Sequence, residues 1–173
     1  MKKIVLLIAV IAVFSVNEVW ANSAKQEYKM AVDAARQRQY DFAFMHYRAI
    51  SRLFPRSPYR DEALFAEGEY YCLLGNFKSA VAPFENYVKD FPEAEGRIFA
   101  LAHLYAIAMA QNDSARADQL RSEIVNLQQV SLVFRDFKEY KFQSPFFKGY
   151  RAVFQIDTIE FYVDGELYSK IKF

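Results

Sequence analysis

The sequence predicts a mainly α fold: an α-α superhelix of three helix pairs, closed by a short C-terminal helix and a β-hairpin. Three observations carry this reading. A block of aromatic and small residues returns at an offset of 37, two Phe-Pro stops fall on the same period, and the last 18 residues alternate around Asp164-Gly165.

The chain begins with a segment that is set apart from this pattern. Met1-Lys2-Lys3 gives a positive start, Ile4 to Val16 is an uncharged apolar run of 13 residues, and Val19-Trp20-Ala21 offers small residues at the two positions a signal peptidase reads. Such a run is short of the roughly 20 residues that cross a bilayer. Residues 1–21 are therefore expected to be a cleaved secretory signal. Position 22 is Asn, not the Cys that would carry a bacterial lipid anchor. No later stretch is apolar enough to span a membrane. The mature chain is expected to be soluble in the periplasm or another extracytoplasmic compartment, reaching a membrane surface only through a partner.

The repeats occupy residues 22–130. Tyr40-Asp41-Phe42-Ala43, followed by Tyr47 and Phe54-Pro55, returns as Phe77-Lys78-Ser79-Ala80, followed by Phe84 and Phe91-Pro92; Ala117 continues the period from Ala80. Apolar residues recur at helical spacing within each unit, which predicts helix pairs over 23–38 and 40–54, 60–74 and 77–90, and 95–111 and 114–130. Gly75-Asn76 makes the tight turn of the second pair. Pro55 and Pro92 end the second helix of their units, because proline has no N–H and crowds the preceding turn.

These residues resemble the tetratricopeptide repeat. The pattern places a small residue and an aromatic in the first helix (Gly68 and Tyr71), then a turn, an aromatic, Ala and an aromatic (Gly75, Phe77, Ala80 and Phe84), with Pro92 as the stop. Tyr40, Ala43, Tyr47 and Pro55 fill the same places in the first unit, and Ala117 the alanine place in the third. The 37-residue period is similar to the longer repeats of bacterial envelope proteins of the BamD and CpoB types. The resemblance implies a concave groove lined by the first helix of each unit, with Tyr28, Val32, Glu62, Phe65, Glu69, Phe99 and His103 pointing into it.

Residues 131–173 differ in character, holding 12 of the 30 aromatic residues, so this tail is expected to be packed against something. Ser144-Pro145 can start a short helix that carries Phe146, Phe147, Tyr150, Val153 and Phe154 on neighbouring turns. For the hairpin, a loop of Val163-Asp164-Gly165 with Gly in a bulge collects Ile159, Phe161, Leu167, Ile171 and Phe173 on one face, whereas a two-residue turn scatters them. An isolated hairpin is marginal in water. The expectation is a cap over the end of the array, burying Phe161, Leu167 and Ile171 and covering the stripe Leu120, Ile124 and Leu127.

Composition removes several function classes. Without Lys2, Lys3 and Glu18, 20 basic and 20 acidic residues remain, which argues against a nucleic-acid binder following a phosphate backbone. The single Cys excludes an intramolecular disulfide framework and a multi-cysteine zinc site. No phosphate loop, nucleophile elbow or zinc-protease motif occurs. His46 and His103 have no second ligand at helical spacing, Cys72 reads as a small buried residue, and Asp61-Glu62 and Glu67-x-Glu69 read as solvated helix faces or helix-start acids. No cofactor and no metal are expected. The expected function is that of a non-enzymatic scaffold or adaptor that holds a protein or peptide partner in the groove, in cell-envelope assembly or maintenance. The alternative is a structural subunit of an envelope complex that docks through its aromatic tail.

Overall fold

The computed structural model describes residues 23–134, 139–155 and 157–172. The expected signal segment, 1–21, and Phe173 of the expected hairpin face lie outside the described residues. The described residues form six helices followed by a small antiparallel sheet. The helices are α1 (23–36), α2 (Tyr40–Leu53), α3 (Arg60–Leu73), α4 (Phe77–Asp90), α5 (Arg97–Ala110) and α6 (Ser114–Phe134), so the last runs past its expected end at 130. From α2 to α6 each helix packs on the next in sequence. Ala31, Ala34 and Ala35 of α1 share a core with Ala43, Tyr47 and Ile50 of α2.

The backbone repeats more regularly than the side chains do. Arg38, Gly75 and Asn112 are 37 residues apart, and all three take left-handed φ values of 58°, 68° and 58°. At each, the next residue donates its N–H to the carbonyl five back: Gln39 to Ala34 (2.9 Å), Asn76 to Tyr71 (2.8 Å) and Asp113 to Ala108 (2.9 Å). The left-handed residue itself donates three back, to Ala35, Cys72 and Met109. These are Schellman ends, which satisfy carbonyls orphaned where a helix stops. Only the middle one carries the glycine that advertises such an end in a sequence.

The small residues on the same period sit where helices cross. Ala43, Ala80 and Ala117 are buried, and a Cβ added at Gly68 would lie 2.8 Å from the ring of Phe84. Ala80→Leu is expected to overpack this crossing and cost about 1–3 kcal/mol. Ala115 is exposed, two residues from the period, and its replacement by Leu should stay within about 0.5 kcal/mol. Thermal melts of the two variants check the register, and equal melting temperatures would refute it.

The sheet has strands β1 (Glu139–Gln143), β2 (Gly149–Phe154), β3 (Thr158–Val163) and β4 (Glu166–Lys172), joined in sequence order as an antiparallel meander. The short helix expected after Ser144-Pro145 is not formed: 144–148 is a loop, and Tyr150, Val153 and Phe154 lie on β2. Helical spacing and strand alternation overlap there. Tyr150, Ala152 and Phe154 also fit a period of two, and pairing with β1 and β3 selects that period. The hairpin forms where expected, but with a two-residue turn. Val163 pairs with Glu166, and Asp164 and Gly165 have φ of 51° and 88°, the pair of positive values of a type I′ turn. The extra residue enters further along. Phe161 pairs with Ser169 and Tyr162 with Leu167, so β4 bulges at Tyr168 and its phase slips there. Ile171 is consequently buried with Ile159 and Phe161, whereas Leu167, expected inside, is 57% exposed.

The outer face of the sheet is solvated and charged. Lys170 Nζ lies 2.7 Å from Glu160 Oε1, and the Arg151 guanidinium stands 4.2 Å from the Tyr162 ring centroid. The inner face joins Leu120 and Ile124 of α6 in one core, as a cap over that helix requires. Its aromatic rings reach farther than an end cap, however, across α5 to α3.

Candidate functional site

The chain's own tail fills most of the face on which a partner groove was expected. Phe65 of α3 packs edge-on to Phe142 of β1 (ring centroids 4.9 Å apart) and to Tyr150 of β2 (5.6 Å). Phe99 of α5 stacks on Phe142 at 5.7 Å and meets Phe161 of β3 edge-on at 6.1 Å. Gly96 at the start of α5 makes this approach possible, since a Cβ there would sit 2.6 Å from Tyr87 Oη and 2.9 Å from Phe142 Cζ. The loop 144–148 extends the filling to α2. Phe146 is buried against Tyr40, Tyr47 and Tyr70, and Tyr47 Oη donates to the Pro145 carbonyl at 3.4 Å. Phe65, Glu69, Phe99 and His103 are all buried under this cover, which corrects their assignment to a partner surface.

Beneath the sheet runs a hydrogen-bonded chain of four side chains. Tyr150 Oη donates to Glu69 Oε1 at 2.8 Å, having one proton to give. His103 Nε2, 3.0 Å from the same hydroxyl, must then be the donor to it. That leaves His103 Nδ1 unprotonated, to accept from Tyr168 Oη at 2.8 Å. A neutral imidazole is what burial imposes: it pulls the His103 pKa down to about 3. Glu69 is fully buried, and burial pushes its carboxyl up to about 7 against the lowering effect of the Tyr150 bond, of Lys148 and of the nearby Ser144 hydroxyl. The bulge of β4 is thus the device that aims Tyr168 at His103. Glu67, like Glu69, is buried rather than solvated; it accepts from Ser51 Oγ at 2.8 Å and lies 3.6 Å from Arg52. Half-buried Cys72 has its thiol pushed up to about 12 by burial, which keeps it from acting as a thiolate. His46 is held by Glu27, 2.7 Å from Nδ1.

One part of the groove stays open. A cavity of about 460 Å³ lies between α1, α3 and the loop 144–148, and takes in Tyr28, Val32 and Glu62 from the expected groove, with Phe65 behind them. Tyr28 stacks on Tyr59 at 4.1 Å and donates to Glu62 Oε2 at 2.8 Å. Burial raises the Glu62 pKa, opposed by the Tyr28 bond and reinforced by Asp61. Phe147 forms the outer wall. It is 40% exposed, with the Arg36 guanidinium 5.7 Å from its ring centroid, and its φ of 62° is a left-handed value that bulky side chains rarely take. Sequence reasoning missed Arg36, Asp61, Glu95 and Phe147 at this cavity. The first three lie in predicted helices and carried no signal beyond charge, and Phe147 was expected on a helix, whereas the pairing of β1 with β2 makes it a loop residue.

Neither a protein-family model nor a curated protein sequence matches the chain. Among the described residues, no group of three or more His, Cys, Asp or Glu could hold a metal ion, and no helix is long and apolar enough to cross a membrane.

Proposed function

We propose that the chain is an exported, non-enzymatic scaffold of the tetratricopeptide-repeat type, which binds a segment of a protein partner during cell-envelope assembly or maintenance. The observation that carries this reading is the cavity between α1, α3 and the loop 144–148. Its size is that of a side-chain or small-ligand site, and its walls set aromatic rings beside charged and polar groups that could fix an occupant's orientation. The three helix pairs and their 37-residue backbone period support the repeat architecture. The outer face of the sheet, with its paired charges, argues against the alternative in which the tail is the docking surface: the tail's apolar face is already spent on the helices.

Phe147 supplies the test. A bulky residue held at positive φ stores about 1–3 kcal/mol of backbone strain. Glycine would relieve that strain and would also remove the outer wall of the cavity. Phe147→Gly is expected to melt no lower than the parent chain while capturing less partner from an envelope extract. The mature protein and the variant, immobilised side by side, check this. Equal capture by both would refute the cavity as the binding site.

A further inference from the structure

We propose that the occupant of this cavity is a basic side chain, an arginine or lysine of the partner segment, seated among carboxylates and ring faces. This deepens the binding role proposed above and rests on it. Three carboxylates, Asp61, Glu62 and Glu95, border the cavity against one cation, Arg36. Arg36 is already engaged at the rim, over Phe147. Glu62 is engaged with Tyr28, but Asp61 and Glu95 make no hydrogen bond or ion pair with a described residue. The uncompensated charge of the site is therefore negative.

Aromatic rings, Tyr28, Tyr87 and Phe142 among them, share the lining with the carboxylates. Ring faces attract a cation through their quadrupole, and arginine combines that stacking with a planar fork suited to carboxylates. An apolar occupant would strip water from Asp61 and Glu95 and give them nothing in return, and an acidic occupant would add repulsion. A guanidinium or ammonium meets both the charge and the rings. The aliphatic stem of the same side chain fits against Val32 and the ring edges, burying its apolar part while its head stays among the acids.

The test uses the mature protein as bait for a phage-displayed library of random dodecapeptides. A parallel selection uses the double variant Asp61→Asn/Glu95→Gln. Asp61 is half-exposed and Glu95 exposed, so this variant is expected to melt as the parent does. The expected result is enrichment of peptides with an Arg or Lys between apolar residues, by the parent and not by the variant. In a synthetic copy of the leading peptide, replacing that basic residue by Ala should raise Kd at least about tenfold. Enriched peptides that lack a basic residue, yet lose binding to Phe147→Gly, would leave the cavity a protein-binding site and overturn the cation assignment alone. Basic peptides held equally by the double variant would also overturn it, as charge attraction away from the cavity. Selections that enrich nothing sensitive to Phe147→Gly would refute the binding role and this inference together.

Discussion

Phe65→Ala should lower the stability of the folded chain by about 3–5 kcal/mol, the range for removing a buried aromatic ring from a core that cannot collapse around the gap. Phe65 has no exposed surface and sits at the centre of the molecule. Its ring meets Phe84 and Tyr87 of α4, each at 5.5 Å, as well as Phe142 and Tyr150 of the sheet. Truncating it therefore loosens two layers at once. For a chain of this size the melting temperature should drop on the order of 10 °C. Any loss of partner binding should follow the loss of structure. Far-UV circular dichroism during heating, with a binding isotherm on the same sample, checks this. A variant that melts like the parent but no longer binds would return Phe65 to the partner surface.

The second large effect is one of pH. The Glu69 carboxyl, raised by burial to about 7, gives up its proton in the unfolded chain at a lower pH than in the folded one. Its contribution to stability is therefore greatest below the ordinary carboxylate range and declines as pH rises to about 7, by on the order of 3 kcal/mol. His103 works in the opposite sense. With its folded pKa near 3, the unfolded chain takes up a proton that the folded chain refuses, so stability falls as pH drops from about 6.5 toward 3. In the parent chain the two slopes oppose each other between about pH 4.5 and 6.5. Glu69→Gln removes one of them. The variant should gain stability with rising pH up to about 6.5 and stay level above it, and at pH 8 it should exceed the parent by roughly 3 kcal/mol. Urea unfolding of both chains at pH 5 and pH 8 measures the divergence. Parallel profiles would refute the assignment of Glu69. Lys148, whose charge favours the Glu69 carboxylate, and Asp164, which opposes it, are unchanged in the comparison.

The helical half of the molecule was legible because its determinants are local. Proline stops, small residues and apolar spacing each act within one turn or between neighbouring helices, and the boundaries of α2 to α5 follow from them. Arg38 was not legible, because an Arg does not announce a left-handed backbone and its place on the period of Gly75 is the only clue; Asn112 carried a weak signal, since Asn enters that region more readily than most residues. The tail misled at two points. Phe146, Phe147, Tyr150, Val153 and Phe154 fit a helix as well as they fit a strand, and pairing partners outside the segment decide between the two. The bulge at Tyr168 answers a demand from His103, 65 residues earlier in the chain. The groove residues were located on the correct helices, but their cover was invisible, since no local rule says that one end of a chain lies on the face of another. For Glu69 the consequence was a reversal, from a solvated acid to a carboxyl in a polar chain sealed under the sheet.

The distance along the chain between the helices and what covers them has a temporal meaning. Glu69 and Tyr150 are 81 residues apart, and Tyr47 and Pro145 are 98. Contacts between neighbouring helices close short loops and form early, whereas contacts across such separations form late. Whether it leaves a ribosome or an export channel, the chain emerges from its N-terminal side, α1 before β4. α1 to α5 can therefore assemble with Phe65 and Phe99 bare to water before β1 to β4 have emerged. In that interval the nascent protein displays an aromatic surface that the finished one conceals. That surface makes a hold-and-release chaperone most useful between the emergence of α5 and that of β4.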